Sequence, residues 1–203
     1  MNVFIVYAHP SNKSFTYQIL DALLKGLELG GHATKISDLY AMDFRTDMTA
    51  EEYEREAYLK TDGFLPEDIV AEQLKIEWAD SIIFLYPLWW SDCPAKLKGW
   101  FDRVYSVGYA YGYDENGNQA RKMKTIKYGI AMVTAGHTKE TLESMGIAGS
   151  IHKIILEDRM GDRFENKELV IYGGTLNIEK VKGSHLNNAT QLGEYMGRSV
   201  LTK

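Results

Sequence analysis

The 203-residue sequence predicts an α/β domain: a doubly wound, five-stranded parallel sheet with helices on both faces. Continuous apolar runs such as Ile82–Tyr86 are too short for helices and lack the polar alternation of a one-sided sheet. They read as strands buried on both faces, the habit of parallel sheets. Stretches with apolar residues three and four apart separate them, and such alternation implies right-handed crossovers. A chain of this length with 45% hydrophobic residues suffices for one well-buried domain over residues 1–203. Length and strand count favour the order 2-1-3-4-5 over a longer six-stranded arrangement.

The first strand is the apolar run Val3–Ala8, broken at His9 and Pro10. A helix follows from about Ser14, with Phe15, Ile19, Leu23, Leu24 and Leu27 on one face and Gly30 and Gly31 stopping it. Ala33–Leu39 is a second, weaker strand. A long polar and acidic connection follows, with a small-helix start at Thr49 to Glu52 and a turn near Asp62 and Gly63. The next helix, Glu67–Trp78, turns Ile69, Val70, Leu74 and Trp78 inward. The third strand ends at Pro87, which has no N–H for the ladder. After Trp89 and Trp90, Asp92 or Cys93 caps a helix that has Pro94 in its first turn. That helix faces Leu97, Trp100, Phe101 and Val104 inward, and Lys96, Lys98, Asp102 and Arg103 outward. Residues 112–124 form a surface loop and Tyr128–Val133 the fourth strand. One or two helices fill about 139–161, Leu169–Tyr172 is the fifth strand, and Leu186–Val200 the last helix.

A net charge of −5 without a basic cluster speaks against nucleic acid or an anionic membrane as partner. A single cysteine, Cys93, excludes a disulfide framework and any multi-thiolate metal site. The histidines at 9, 32, 137, 152 and 185 lack metal-ligand spacing, so no metal is expected. No basic leader precedes the first apolar run, and no segment approaches the ~20 apolar residues of a membrane span, so the expected compartment is the cytoplasm. The phosphate-binding glycine patterns of dinucleotide and P-loop folds are missing, as is a nucleophile elbow.

The chemistry gathers in three loops, after strands one, three and four, which share the carboxyl edge of such a sheet. The first, Ala8 to Thr16, enters a helix N-terminus suited to a phosphate. Ser14 and Thr16 add hydroxyls, and His9 or Lys13 adds positive charge. The second, Pro87 to Trp90, supplies aromatic walls. The third, Thr134 to His137, ends in small residues that let backbone approach a ring edge. Taken singly, each has a plainer reading: Ser14 as a helix cap, His9 as a buried histidine, Gly136 as an ordinary turn. Together, a phosphate cradle, an aromatic wall and a close-approach edge suit a flavin.

The same loops carry a resemblance to the flavodoxin-like NAD(P)H:quinone oxidoreductases, the family of DT-diaphorase. It rests on Asp68 to Gln73 (DIVAEQ), Phe84 to Trp90 (FLYPLWW) and Pro94 to Arg103 (PAKLKGWFDR). Ala8 and His9 with Ser14 to Tyr17 resemble the family's phosphate loop, with Thr16 where asparagine is common. Asp38 to Met42 and Tyr109 to Tyr113 also fit. The likeness is good over about residues 1–136 and loose beyond.

The resemblance implies FMN or FAD with phosphates on His9, Ser14, Phe15 and Thr16. Pro87, Leu88, Trp89 and Trp90 would hold the ring system, and Thr134, Ala135 and Gly136 its pyrimidine edge. Tyr111 and Tyr113 match substrate-pocket positions, often across a homodimer interface. Hydride would pass from NAD(P)H to the flavin and then to a quinone or another flat acceptor, by turns in one slot. Relatives also place a tyrosine and a histidine shortly after the third loop. This chain has Thr141 and Ile147 there, which leaves His137 and His152 as candidate proton-handling residues. The resemblance also admits an ancillary subunit of a potassium-efflux transporter, with Asp43 to Pro66 as a candidate docking surface beside the plainer reading of a solvated insertion. A separate reading is an electron-carrier flavodoxin, against which stand the double tryptophan, the tyrosine-rich loop and the mild net charge.

Overall fold

A computed structural model describes residues 1–197. In chain order the elements are β1 (Asn2–Tyr7), α1 (Phe15–Leu29), β2 (Ala33–Asp38), α2 (Ala50–Ala57), α3 (Glu67–Trp78) and β3 (Ser81–Pro87). Then come α4 (Ala95–Val104), β4 (Ile126–Thr134), α5 (Lys139–Ser144), α6 (Ile147–Ile151), β5 (Phe164–Tyr172) and α7 (Ile178–Tyr195). Beyond α6 the helix widens to i→i+5 bonding over His152–Met160. All strand pairs are parallel, in the order β2-β1-β3-β4-β5. The expected fold class is therefore the observed one, with β2 and β5 at the edges.

Alternation along the central strands explains their unbroken apolar sequence. Phe4 and Val6 of β1, with Phe84 and Tyr86 of β3, point to a core shared with Ile69, Ile76, Leu97, Trp100 and Phe101 of α3 and α4. Val3, Ile5, Tyr7, Ile83 and Leu85 point the other way, to Leu23 and Leu27 of α1 and to Leu192 of α7. On that second face α1 and α7 touch backbone to backbone. A Cβ on Gly26 would lie 2.0 Å from the Thr190 carbonyl oxygen, and one on Gly193 would lie 2.6 Å from that of Leu23.

Several expectations are corrected. On α3 the buried stripe is Ile69, Glu72, Gln73 and Ile76, while Val70 and Leu74 are exposed. Polar residues can fill that stripe because each is satisfied. Glu72 accepts from Ser37 Oγ (2.8 Å), Lys75 Nζ (2.6 Å) and Trp100 Nε1 (2.8 Å). Gln73 Nε2 donates to the Val104 carbonyl and to Ser106 Oγ, both at 3.0 Å. Arg103, expected outward, is buried, and its guanidinium bridges Glu52 Oε1 (2.7 Å) and Asp68 Oδ2 (2.6 Å). It thereby pins the acidic excursion between β2 and α3 onto α4. Pro94 itself, and not Asp92 or Cys93, occupies the N-cap of α4, without a side-chain cap. β5 begins at Phe164 rather than Leu169, because its first half is charged and exposed. The last helix starts at Ile178, eight residues early, and residues 198–200 of its expected span lie outside those described. The small helix does start at Thr49, through a capping box with Glu52.

Candidate active site

The strand order reverses between β1 and β3, so the loops leaving their carboxyl ends diverge and open a crevice. Into it come His9, Ser14, Phe15 and Thr16 from the β1–α1 turn, Pro87, Leu88 and Trp89 after β3, and Thr134, Ala135 and Gly136 after β4. The groove holds about 480 Å³, counting its open mouth. These are ten of the eleven residues that the sequence assigned to a cofactor. Thr175 is the addition: it enters from the loop after β5, where its hydroxyl donates to the Ala135 carbonyl at 3.0 Å. No sequence motif marks it.

Each wall has a local cause. Ser14 caps α1, its Oγ accepting the Tyr17 N–H at 3.0 Å. The Phe15 and Thr16 N–H groups, in the first turn, have no carbonyl inside the helix and present an anion site. Thr16 Oγ1 and Thr134 Oγ1 share a hydrogen bond of 2.7 Å that ties the first loop to the third. His9 Nδ1 accepts the Ser11 N–H at 3.0 Å, which leaves Nε2 as the ring's donor. Burial lowers the His9 pKa below the ordinary histidine value, so the ring is neutral at pH 7. Its edge meets Trp89, with centroids 5.9 Å apart. None of the lining side chains carries a carboxylate.

In the third loop, the Ala135, Gly136 and His137 carbonyls accept from the loop after β5. Among the described residues, no acceptor is recorded for the Gly136 and His137 N–H groups. A Cβ on Gly136 would meet only Leu176, at an ordinary 3.4 Å, so packing does not demand the glycine.

The second loop is strained. Trp89 and Asp92 exchange two backbone hydrogen bonds, of 3.0 and 3.1 Å, around Trp90 and Ser91. Both central residues have positive φ, 49° and 65°. Turns of this kind favour glycine and asparagine, and side-chain-bearing residues adopt such a backbone at about 1–2 kcal/mol each. Trp90 is fully exposed and lies outside the groove lining, beside Trp89.

The remaining candidates sit apart. Tyr111 and Tyr113 line a separate recess of about 600 Å³, counting its mouth, with Arg121 and Asp162. Tyr111 is held there by Glu56, whose Oε2 accepts the phenol at 2.8 Å. The His137 side chain is exposed at the end of the third loop, and His152 is exposed with Nδ1 3.3 Å from Glu157. Neither lines the groove. Among the described residues, no three or more His, Cys, Asp or Glu side chains are grouped to hold a metal.

Comparison with known proteins finds the same architecture. A family model described as a flavodoxin-like fold matches residues 1–160. An NAD(P)H:quinone oxidoreductase from Methanothermobacter marburgensis superposes with a TM-score of 0.90 at 42% identity, over 97% of this chain and 96% of that one. The NAD(P)H dehydrogenase (quinone) 1 of Rattus norvegicus is 37% identical over 168 residues, 74% of this chain. A ribosyldihydronicotinamide dehydrogenase-like protein of Penicillium crustosum is 33% identical over 81% of this chain and 68% of its own length. The chain spans 59% of the rat protein's length.

Proposed function

The chain belongs to the flavodoxin-like family, and from that membership we propose that it is a flavin-dependent NAD(P)H:quinone oxidoreductase. One observation carries the reading: residues from three separate loops line one groove at the switch in strand order, each with the chemistry that a flavin requires.

The fit can be read from the groove itself. The α1 N-terminus and the Ser14 and Thr16 hydroxyls would hold the phosphate end of FMN or FAD, with neutral His9 donating from Nε2. Lys13, exposed beside them, adds charge. Trp89 and Leu88 would flank the ring system, with Trp90 next to them on the solvent side. The free N–H groups of Gly136 and His137 would meet negative charge on its pyrimidine edge. A flavin so held would supply the redox chemistry, accepting hydride from NAD(P)H and returning it, with a proton from solvent, to reduce a quinone to the quinol. The chain's own part is to bind, orient and exclude water, and no side-chain nucleophile is needed.

Tyr111 and Tyr113 complete the reading only in a homodimer, in which each chain's tyrosines wall its partner's groove and meet the flat acceptor. The exposed Tyr53, Tyr58, Phe64 and Tyr113 supply apolar surface for that contact. A cytoplasmic location belongs to the same reading. Among the described residues no helix is long and apolar enough to cross a membrane.

The test is the visible spectrum of the purified protein before and after anaerobic NADPH or NADH. Flavin bands that bleach and then return on adding a quinone are the expected result, and the mass of the released chromophore identifies FMN or FAD. Bands that do not bleach would instead favour the carrier or ancillary-subunit function. No flavin after reconstitution would overturn the proposal.

A further inference from the structure

The turn bearing the two tryptophans is strained, yet it is tied down from a distant part of the chain. Trp90 makes up for none of the strain, being fully exposed. Beneath the turn lies Arg159, more than nine-tenths buried, which arrives from the wide helical segment 67 residues further on. It donates from Nη1 to Asp92 Oδ1 at 3.3 Å and from Nη2 to Asp92 Oδ2 at 3.4 Å. Nη1 also meets Cys93 Sγ at 3.2 Å, and the guanidinium lies 5.2 Å from the centre of the Phe101 ring. Asp92 Oδ1 accepts the Cys93 N–H at 2.7 Å as well. Burial pushes the Cys93 thiol up to about 11, so the thiol is neutral and the anion facing Arg159 is Asp92. Wide helical turns of this type are frequent at functional sites.

We propose that Arg159 is a positioning residue: through Asp92 it holds the Trp90–Ser91 turn in its left-handed form. It thereby sets where Trp89 walls the groove and where Trp90 stands beside it. The inference rests on the groove being a flavin site, but the turn can be followed without flavin.

Two variants separate the possibilities. Arg159→Met keeps the stacking over Phe101 and removes the charge. Asp92→Asn keeps an acceptor for the Cys93 N–H and removes the anion, so it carries the test if the first variant fails to fold. In flavin-free protein, hydrogen exchange of the Trp89 N–H, which closes the turn, is expected to quicken about tenfold in either variant. FMN affinity by fluorescence titration is expected to fall about tenfold in either, with no further loss in the double variant. Unchanged exchange, additive losses, or faster exchange at unaltered FMN affinity would each overturn the assignment. If the unaltered protein bound no flavin while its turn still loosened in Arg159→Met, the flavin reading would fall and the lock on the turn would stand.

Discussion

A fully exposed tryptophan on a left-handed backbone gains nothing from the rest of the chain. Trp90 at φ 49° is therefore a residue at which stability and binding should separate. Trp90→Gly is expected to raise the melting temperature, by about 1 kcal/mol of relieved strain, while weakening flavin retention. Trp90→Ala should weaken retention too, with little loss of fold. A thermal melt paired with a flavin titration checks both, and unchanged affinity would move the site away from the double tryptophan. Single residues were legible in the sequence where a strand end dictated their place, as with His9, Thr16 and Thr134. Thr175 and Arg159 were not, because each is a single polar residue in an element that no motif ties to the groove or to its tryptophan turn.

Elements hold together where side chains are smallest or most fully paired. Gly26→Ala in α1 would drive a methyl to 2.0 Å from the Thr190 carbonyl oxygen, so it should cost about 3 kcal/mol by urea denaturation. Gly183→Ala in α7 meets no atom within 4 Å and should instead stabilise by about 0.5–1 kcal/mol. The knot around Arg103 makes the excursion carrying α2 sensitive to acid. Burial works to raise the pKa of Glu52 and Asp68, but their hydrogen bonds outweigh it. Thr49, Arg103 and Arg45 hold Glu52 below its ordinary value, and Arg103 and the Ile69 N–H do so for Asp68. Carboxyls lowered by folding contribute stability above their unfolded values, about pH 4, and lose it as pH falls through the folded ones. Melting temperatures from pH 7 to pH 3 should therefore fall less steeply in Arg103→Met, from a lower start. Parallel slopes would free the knot of that role. The order of strands and helices was legible because both-face burial leaves an apolar signature. The inner face of α3 and the first turns of α7 were not. Glu72 and Gln73 are buried by satisfied hydrogen bonds, and the first turns of α7 are largely polar with no fully buried residue, so no hydropathy stripe marks them.

For the whole molecule, the proposed pairing predicts a sedimenting species of twice the 23.1 kDa chain mass. Tyr111→Ala should raise the KM for quinone several-fold at unaltered flavin affinity. A monomer with full turnover would refute the shared groove. The fold class was legible because chain length, strand count and alternation all pointed the same way. The two tyrosines could not be placed from sequence, since their recess and the groove are separate within one chain. How two copies can meet is constrained by the sheet's own borders. An open sheet ends in rows of unpaired main-chain groups, ready to template another strand. Here β2 displays Lys35, its ammonium over the Trp78 ring, and β5 displays Glu165, Asn166 and Lys167. A strand added at either border would strip these charges of water, which is how charged side chains blunt an open border. Association is steered away from continuous sheets towards the helix and loop faces, and the same charges guard newly made chains against runaway β-stacking.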